Sequence, residues 1–232
     1  LSQNALNDPL PPERKKIKFG WPEISLLALY IAGYVGHKIR GPWKKRIRWG
    51  TLLSGMVILG FIYTAPITIA QIIAFLSGYW PDWHHNLYWY LLIGGILFVT
   101  TVDAKNPYCS WFCPFGAFQE TLAQITNAPI YKPRKWREAF TWMQRGLAFT
   151  AVLLGFALRN PGVAGFEPFA TLFDLRGTLF QWMFLIVVTI ASLVMYRPFC
   201  NYLCPIDPAV DLISEVRKWV LEVWKKWRKQ EQ

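Results

Sequence analysis

Pro107-Tyr108-Cys109-Ser110-Trp111-Phe112-Cys113-Pro114 and Pro198-Phe199-Cys200-Asn201-Tyr202-Leu203-Cys204-Pro205 are two copies of one pattern, set 91 residues apart, and they hold all four cysteines of the 232-residue chain. Sulfurs four residues apart fall on one face of a helical turn. Two such turns brought together offer four thiolates to one metal centre. Each copy follows a long apolar segment, so the reading of those segments decides the fold.

The chain is 53% apolar and 17% charged, with a mean hydropathy of +0.22, which places it outside ordinary soluble composition. No Asp, Glu, Lys or Arg occurs between Arg48 and Asp82, between Asp82 and Asp103, or between Arg176 and Arg197. A membrane span needs about 17–25 mainly apolar residues. The expected fold is therefore all-α and polytopic, with spans near 50–78, 87–103, 140–159 and 178–197, the third carrying Arg145 near one end. The apolar stretch 24–36 is short and reads as a fifth span or as a re-entrant or interfacial helix. The first 20 residues show no cleavable signal peptide, and Leu1 in place of methionine points to a processed or partial N-terminus.

A net charge of +11 invites a nucleic-acid reading, but the cations cluster between apolar runs, so the expected partner is membrane lipid and no nucleic acid. Lys38 to Arg48, Lys132 to Arg145 and Arg217 to Lys229 are the basic segments, while loops 78–86 and 159–177 hold only Arg159 and Arg176 as cations. The positive-inside rule puts the basic segments and both cysteine motifs on the cytoplasmic side. The expected location is a bacterial-type inner (cytoplasmic) membrane. Trp43, Trp49, Trp136 and Trp142 read as inner interface anchors, and Trp80, Trp83, Tyr88, Trp89 and Tyr90 as outer ones.

The duplication extends beyond the thiols. The expected organisation is a polar tail over 1–22, a short apolar helix and basic loop over 23–48, repeats over 49–130 and 131–206, and a basic amphipathic helix over 207–232. Phe118, Leu122 and Ile125 after the first motif, and Ile213, Val216, Val220, Val223 and Trp227 after the second, recur at helical spacing. Both read as interfacial helices on the cytoplasmic surface. A tandem repeat with pseudo-two-fold symmetry puts a shared site near its axis.

Three chemistries suit Cys109, Cys113, Cys200 and Cys204. A [4Fe-4S] cluster takes four thiolates, and C-x3-C-P is the last part of the ferredoxin run. A tetrathiolate zinc site is built from similar spacings. Redox-active thiols are the third, although cytoplasmic thiols stay reduced.

The stretch Cys109 to Glu120 (CSWFCPFGAFQE), the second motif from Cys200 to Pro205, and Phe166-Glu167-Pro168-Phe169 resemble the membrane part of the NapH/NosR-type integral-membrane iron–sulfur proteins. The likeness covers roughly residues 45–215. It implies one [4Fe-4S] cluster on the four cysteines and electron transfer between a quinone pool and a partner redox subunit. The chain would then be an electron-transfer subunit of an oxidoreductase complex rather than a catalyst by itself. Members carry two ferredoxin-type motifs after the last span, where this chain has a cysteine-free basic helix, so further iron–sulfur or haem centres are expected on partner subunits. No flavin is assigned. Two rival readings are a thiol-based copper reductase or assembly factor, and a structural anchor for a peripheral redox subunit around zinc.

Other candidate groups read as structural. His84 and His85 beside Asp82 can bind a metal or take protons from a quinol, and otherwise form a hydrated loop; His37 stands alone. Asp103 reads as a boundary acid paired with Lys105. Asp207 and Asp211 suit the first turn of the last helix. Pro66 reads as a kink within the first long span, with Thr64, Thr68 and Gln71 satisfying the freed backbone.

Overall fold

The computed structural model describes residues 20–64, 66–84, 86–103, 108–130, 137–158 and 167–230, and among these every regular element is helical. Ten α-helices are described: α1 (Trp21–Lys38), α2 (Pro42–Gly55), α3 (Ile69–Leu76), α4 (Leu87–Asp103), α5 (Pro114–Ile125), α6 (Arg137–Ala157), α7 (Phe169–Phe173), α8 (Leu179–Val194), α9 (Pro198–Tyr202) and α10 (Ile206–Gln230). Two π-helical stretches join them, π1 (Met56–Ile62) continuing α2 and π2 (Tyr108–Phe112) preceding α5. Proline stands in the first turn of α1, α2, α5 and α9. Its missing N–H is an orphan donor there in any case, and its fixed φ suits a helix start.

No described helix is long and apolar enough to cross a membrane, and this overturns the polytopic membrane architecture expected from hydropathy. The charge-free run expected to span over 50–78 is not one helix. It leaves π1 at Tyr63, passes Thr64 in a left-handed conformation (φ 45°), and restarts at Thr68, whose hydroxyl accepts from the Gln71 amide at 3.3 Å while Gln71 Oε1 accepts from the Thr68 amide at 3.1 Å. Pro66 thus lies in a break between helices, not in a kinked span. The α3 that follows has 8 residues.

The other expected spans fall short for different reasons. The 17 residues of α4 and 16 of α8 reach roughly 25 Å at 1.5 Å per residue, less than the ~30 Å of a hydrocarbon core. The 21 residues of α6 include Arg137, Glu138, Gln144 and Arg145. The 24–36 stretch lies inside α1, which carries Glu23, His37 and Lys38 and packs Leu26, Leu29, Gly33 and Gly36 inward.

The core is aromatic and gathers around the cysteine motifs. Phe112, Phe115 and Phe199 are fully buried, each contributing roughly 1.5–3 kcal/mol of apolar burial. Phe115 meets Phe199 edge-on with ring centroids 5.3 Å apart and lies 4.9 Å from Phe169. On the other side Phe112 meets Tyr30 of α1 at 4.9 Å and Tyr108 at 5.4 Å. α2 packs on π2, α5 on α8, and α10 on both α4 and α6.

Two further expectations are corrected here. α5 is not interfacial: Phe115, Gly116, Ala117, Gln119, Glu120 and Ala123 are buried, because it is wedged between α2 and α8. Tyr88, read as an interface anchor, is also in the core. Trp43, Trp80, Trp83 and Trp142 are exposed, as are Phe180 and Met183 of α8 and Trp219 and Trp224 of α10.

Candidate metal centre

Both cysteine motifs are built the same way. In the first, Cys109 lies in π2 and Cys113 closes it, its amide donating to the Tyr108 carbonyl at 2.8 Å. Cys113 is then the N-cap of α5, with Pro114 at the first helical position. In the second, Cys200 lies in α9 and the Cys204 amide donates to the Phe199 carbonyl at 2.9 Å, just before Pro205 and the start of α10. The tight turn in each copy ends on a cysteine because the following proline cannot extend it and starts a new helix instead.

The two motifs meet. Cys109, Cys113, Cys200 and Cys204 all line one cavity of about 180 Å³, walled by Phe115, Phe169 and Ile206 and edged by Arg197 and Asp207. Cys113 and Cys204 are buried and Cys109 and Cys200 partly so, all with free thiols. Burial and the neighbouring Cys113 push the Cys200 thiol up to about 12, with Arg197 and Gln119 pulling it back. Cys113 and Cys204 are raised too, burial again being the main cause. Four such thiols face one another as thiolates only when a cationic centre neutralises them, and binding then releases protons.

The donor set is four thiols around one cavity, a set that both a cluster and a single ion can use. Among the described residues no group of three or more Cys, His, Asp or Glu side chains is arranged to hold one metal ion. A mononuclear zinc site needs all sulfurs about 2.3 Å from one centre. A cubane gives each thiolate its own iron.

Side chains from each motif brace the other. Arg197 donates through Nη1 to the Cys109 carbonyl at 3.0 Å and through Nη2 to Glu120 Oε2. Glu120 also accepts from Nη1 and Nη2 of Arg48, at 2.6 and 2.8 Å. Burial pushes the Glu120 carboxyl up, and the bonds from Arg48 with the charge of Arg197 more than reverse this, holding it below the ordinary carboxylate range. Arg197 is itself left-handed, φ 50° and ψ 58°. That conformation costs a non-glycine residue about 1–3 kcal/mol and persists only where its surroundings over-determine it.

Gln119 of α5 donates to Cys200 Sγ at 3.2 Å and accepts from the Phe199 amide at 3.0 Å. Gln144 of α6 donates to the Cys200 carbonyl at 3.1 Å. Glu167, buried and with no hydrogen-bond partner for Oε1 among the described residues, lies within electrostatic reach of Cys113 and Cys204. Sequence reasoning placed the 166–169 stretch on an outer face away from the thiols. In the structure Phe169 lines the cavity; Phe166 is outside the described residues.

The remaining candidates lie elsewhere. His84 Nδ1 is 3.0 Å from Asp82 Oδ1 in an exposed loop and its ring lies against Trp83, while His85 is outside the described residues. His37 meets Trp111 edge-on at 6.4 Å. The Asp103 side chain and Lys105 are outside the described residues. Asp207 goes beyond its expected helix-dipole role, since it edges the cavity and raises Cys200. Gln119, Glu120 and Arg197 were missed as functional residues, although a charge directly before Pro198 and a Gln-Glu pair after Cys113 were signals to look there.

Comparison with known proteins points the same way. The family model described as a 4Fe-4S binding domain matches twice, over residues 86–135 and 176–223, once for each cysteine motif. Each half of the chain thus carries a segment similar to a 4Fe-4S binding domain. The chain is 28% identical over 211 residues to the protein NirI of Paracoccus denitrificans, covering 83% of this chain and 30% of that protein. It is 27% identical over 204 residues to the regulatory protein NosR of Stutzerimonas stutzeri, covering 80% and 27%. The regulatory protein NosR of Pseudomonas aeruginosa gives 25% over 189 residues, covering 75% and 26%. The chain spans less than a third of the length of these relatives. No solved structure matches. The chain is thus similar to the iron–sulfur-type proteins NirI and NosR over most of its own length.

Proposed function

We propose that the chain is a one-electron transfer module in which Cys109, Cys113, Cys200 and Cys204 together hold a single [4Fe-4S] cluster. The observation that carries this is the meeting of both motifs, 91 residues apart in sequence, around one cavity. A bound [4Fe-4S] cluster supplies a one-electron couple whose potential follows net charge, hydrogen bonds to sulfur and solvent exposure.

The chain's own residues set those conditions. Phe115, Phe169 and Ile206 keep water from the inner wall. Arg197 places a positive charge at the cavity edge and ties the first motif to the second through the Cys109 carbonyl. Gln119 holds Cys200 by its sulfur and Gln144 holds it by its carbonyl. The partly exposed Cys109 and Cys200 mark the side from which an electron reaches the site. A partner redox subunit on that side, and a quinone as ultimate source or sink of the electron, complete the reading and rest on the family resemblance alone.

The test is anaerobic loading of the chain, with iron and acid-labile sulfide counted per polypeptide and EPR spectra recorded before and after dithionite. Roughly four irons and a reducible signal, lost in both Cys109→Ser and Cys200→Ser, are expected. Loss of the signal in one variant with half the iron retained would mean two separate centres and overturn the shared cluster.

A further inference from the structure

Gln119 is fully buried, and its amide is oriented without ambiguity. The Phe199 N–H can only donate, so the group 3.0 Å from it must be the carbonyl oxygen Oε1, and the amide NH2 then faces Cys200 Sγ at 3.2 Å. The side chain starts on α5, after the first motif, and ends on the second motif. A polar side chain this deep is costly unless both ends are satisfied. Here one end is satisfied by backbone and the other by a ligand sulfur.

The chemistry of that second bond depends on the charge of the sulfur. A donor aimed at a thiolate interacts more strongly as electron density on the sulfur rises, so it favours the reduced state over the oxidised one. The effect is largest where water is excluded and the local dielectric is low. Gln144 provides a built-in comparison. It is also buried and also donates to Cys200, but to the backbone carbonyl at 3.1 Å.

We propose that Gln119 is a positioning residue that raises the reduction potential of the iron–sulfur centre through its N–H···S bond to Cys200, while Gln144 only holds the turn. The inference rests on Cys200 being a cluster ligand, as proposed above.

The experiment compares loaded wild type, Gln119→Leu and Gln144→Leu, with iron counted and the midpoint potential measured by EPR-monitored titration. Gln119→Leu is expected to lower the potential by an amount equal to about a tenfold change in the reduced-to-oxidised ratio, ~59 mV for a one-electron couple. Gln144→Leu is expected to lose thermal stability with its potential unchanged. No shift in Gln119→Leu, or an equal shift in both variants, overturns the inference while leaving the four-thiolate reading intact. A wild type that binds no iron sinks both. If Gln119→Leu does not load, pulsed EPR of reduced Gln144→Leu protein labelled with 15N in the glutamine side-chain amide decides: a nitrogen coupling to the cluster supports the bond, and its absence overturns it.

Discussion

The Glu167 carboxyl oxygen Oε2 accepts a hydrogen bond from the Ile69 amide at 3.0 Å, across 98 residues of sequence. The bond fastens the loop before α7, which supplies Phe169 to the cavity wall, to the first residue of α3. Among the described residues Glu167 Oε1 has no hydrogen-bond partner, so the group is held deep but half-satisfied, and burial pushes its carboxyl up to about 8.

Glu167 therefore makes the apo-protein's stability fall with pH. Below an ordinary carboxyl value of 4.5 the group is protonated whether folded or unfolded and contributes no slope. Between 4.5 and about 8 the unfolded chain releases the proton and the folded chain keeps it, so stability drops by about 1.4 kcal/mol per pH unit. Above that window the difference stays constant. Glu167→Gln keeps an acceptor for Ile69 and removes this slope. Thermal denaturation of both apo-proteins from pH 5 to 8 should show Glu167→Gln gaining on wild type as pH rises; a constant difference would refute the assignment.

Glu120 lies between two guanidinium groups and is nearly inaccessible, its side chain 4% exposed against 28% for Arg48 and 11% for Arg197. Truncating it leaves those charges without their counter-ion. Glu120→Ala should cost about 3–5 kcal/mol, and Glu120→Gln less because one acceptor oxygen remains. Denaturant titration at neutral pH measures both, and a cost below about 1 kcal/mol, the range of surface pairs, would show that the network is not dry.

Two glycines of α2 should respond oppositely to alanine. A Cβ on Gly55 would lie 2.5 Å from the Phe112 carbonyl oxygen and 2.9 Å from Phe112 Cβ, directly before Cys113. A Cβ on Gly50 would meet nothing within 4 Å among the described residues. Gly55→Ala should cost about 1–3 kcal/mol through overpacking and lower iron retention, whereas Gly50→Ala should gain up to about 1 kcal/mol from helix propensity alone. Melting temperatures and iron counts of the two variants side by side test the close approach of α2 to π2.

Tyr108 precedes the first cysteine and its hydroxyl oxygen accepts from the Ile67 amide at 3.1 Å, both residues being buried. Tyr108→Phe preserves the ring contacts with Phe112 but leaves that N–H unpaired, at a cost of about 1–3 kcal/mol. Amide exchange at Ile67 should accelerate in the variant. Unchanged exchange would mean the amide finds another acceptor.

The sequence was informative where chemistry and local backbone rules act within a few residues. The twin motif and the four thiols follow from residue type and spacing, whereas the helix that starts at Pro42 lies where a basic loop is expected. The membrane reading failed because hydropathy measures the transfer free energy of side chains and says nothing of where the backbone breaks. The run after Arg48 is free of charge, yet it turns at Thr64 with a positive φ and restarts under the Thr68 cap. Likewise α5 reads as a surface amphipath by periodicity, but it is buried because α2 and α8 close over it.

By itself the sequence determined that four cysteines stand in two equivalent helical turns, since a C-x3-C spacing and a following proline act through bonds only a few residues long. Tertiary structure alone decided that the turns share one cavity and what surrounds it. The contacts of Gln119 with Cys200, Arg197 with Cys109, and Glu120 with Arg48 join residues 81, 88 and 72 positions apart. Such pairings are set by which helices pack together, and that choice depends on the burial of the whole aromatic core rather than on any local signal.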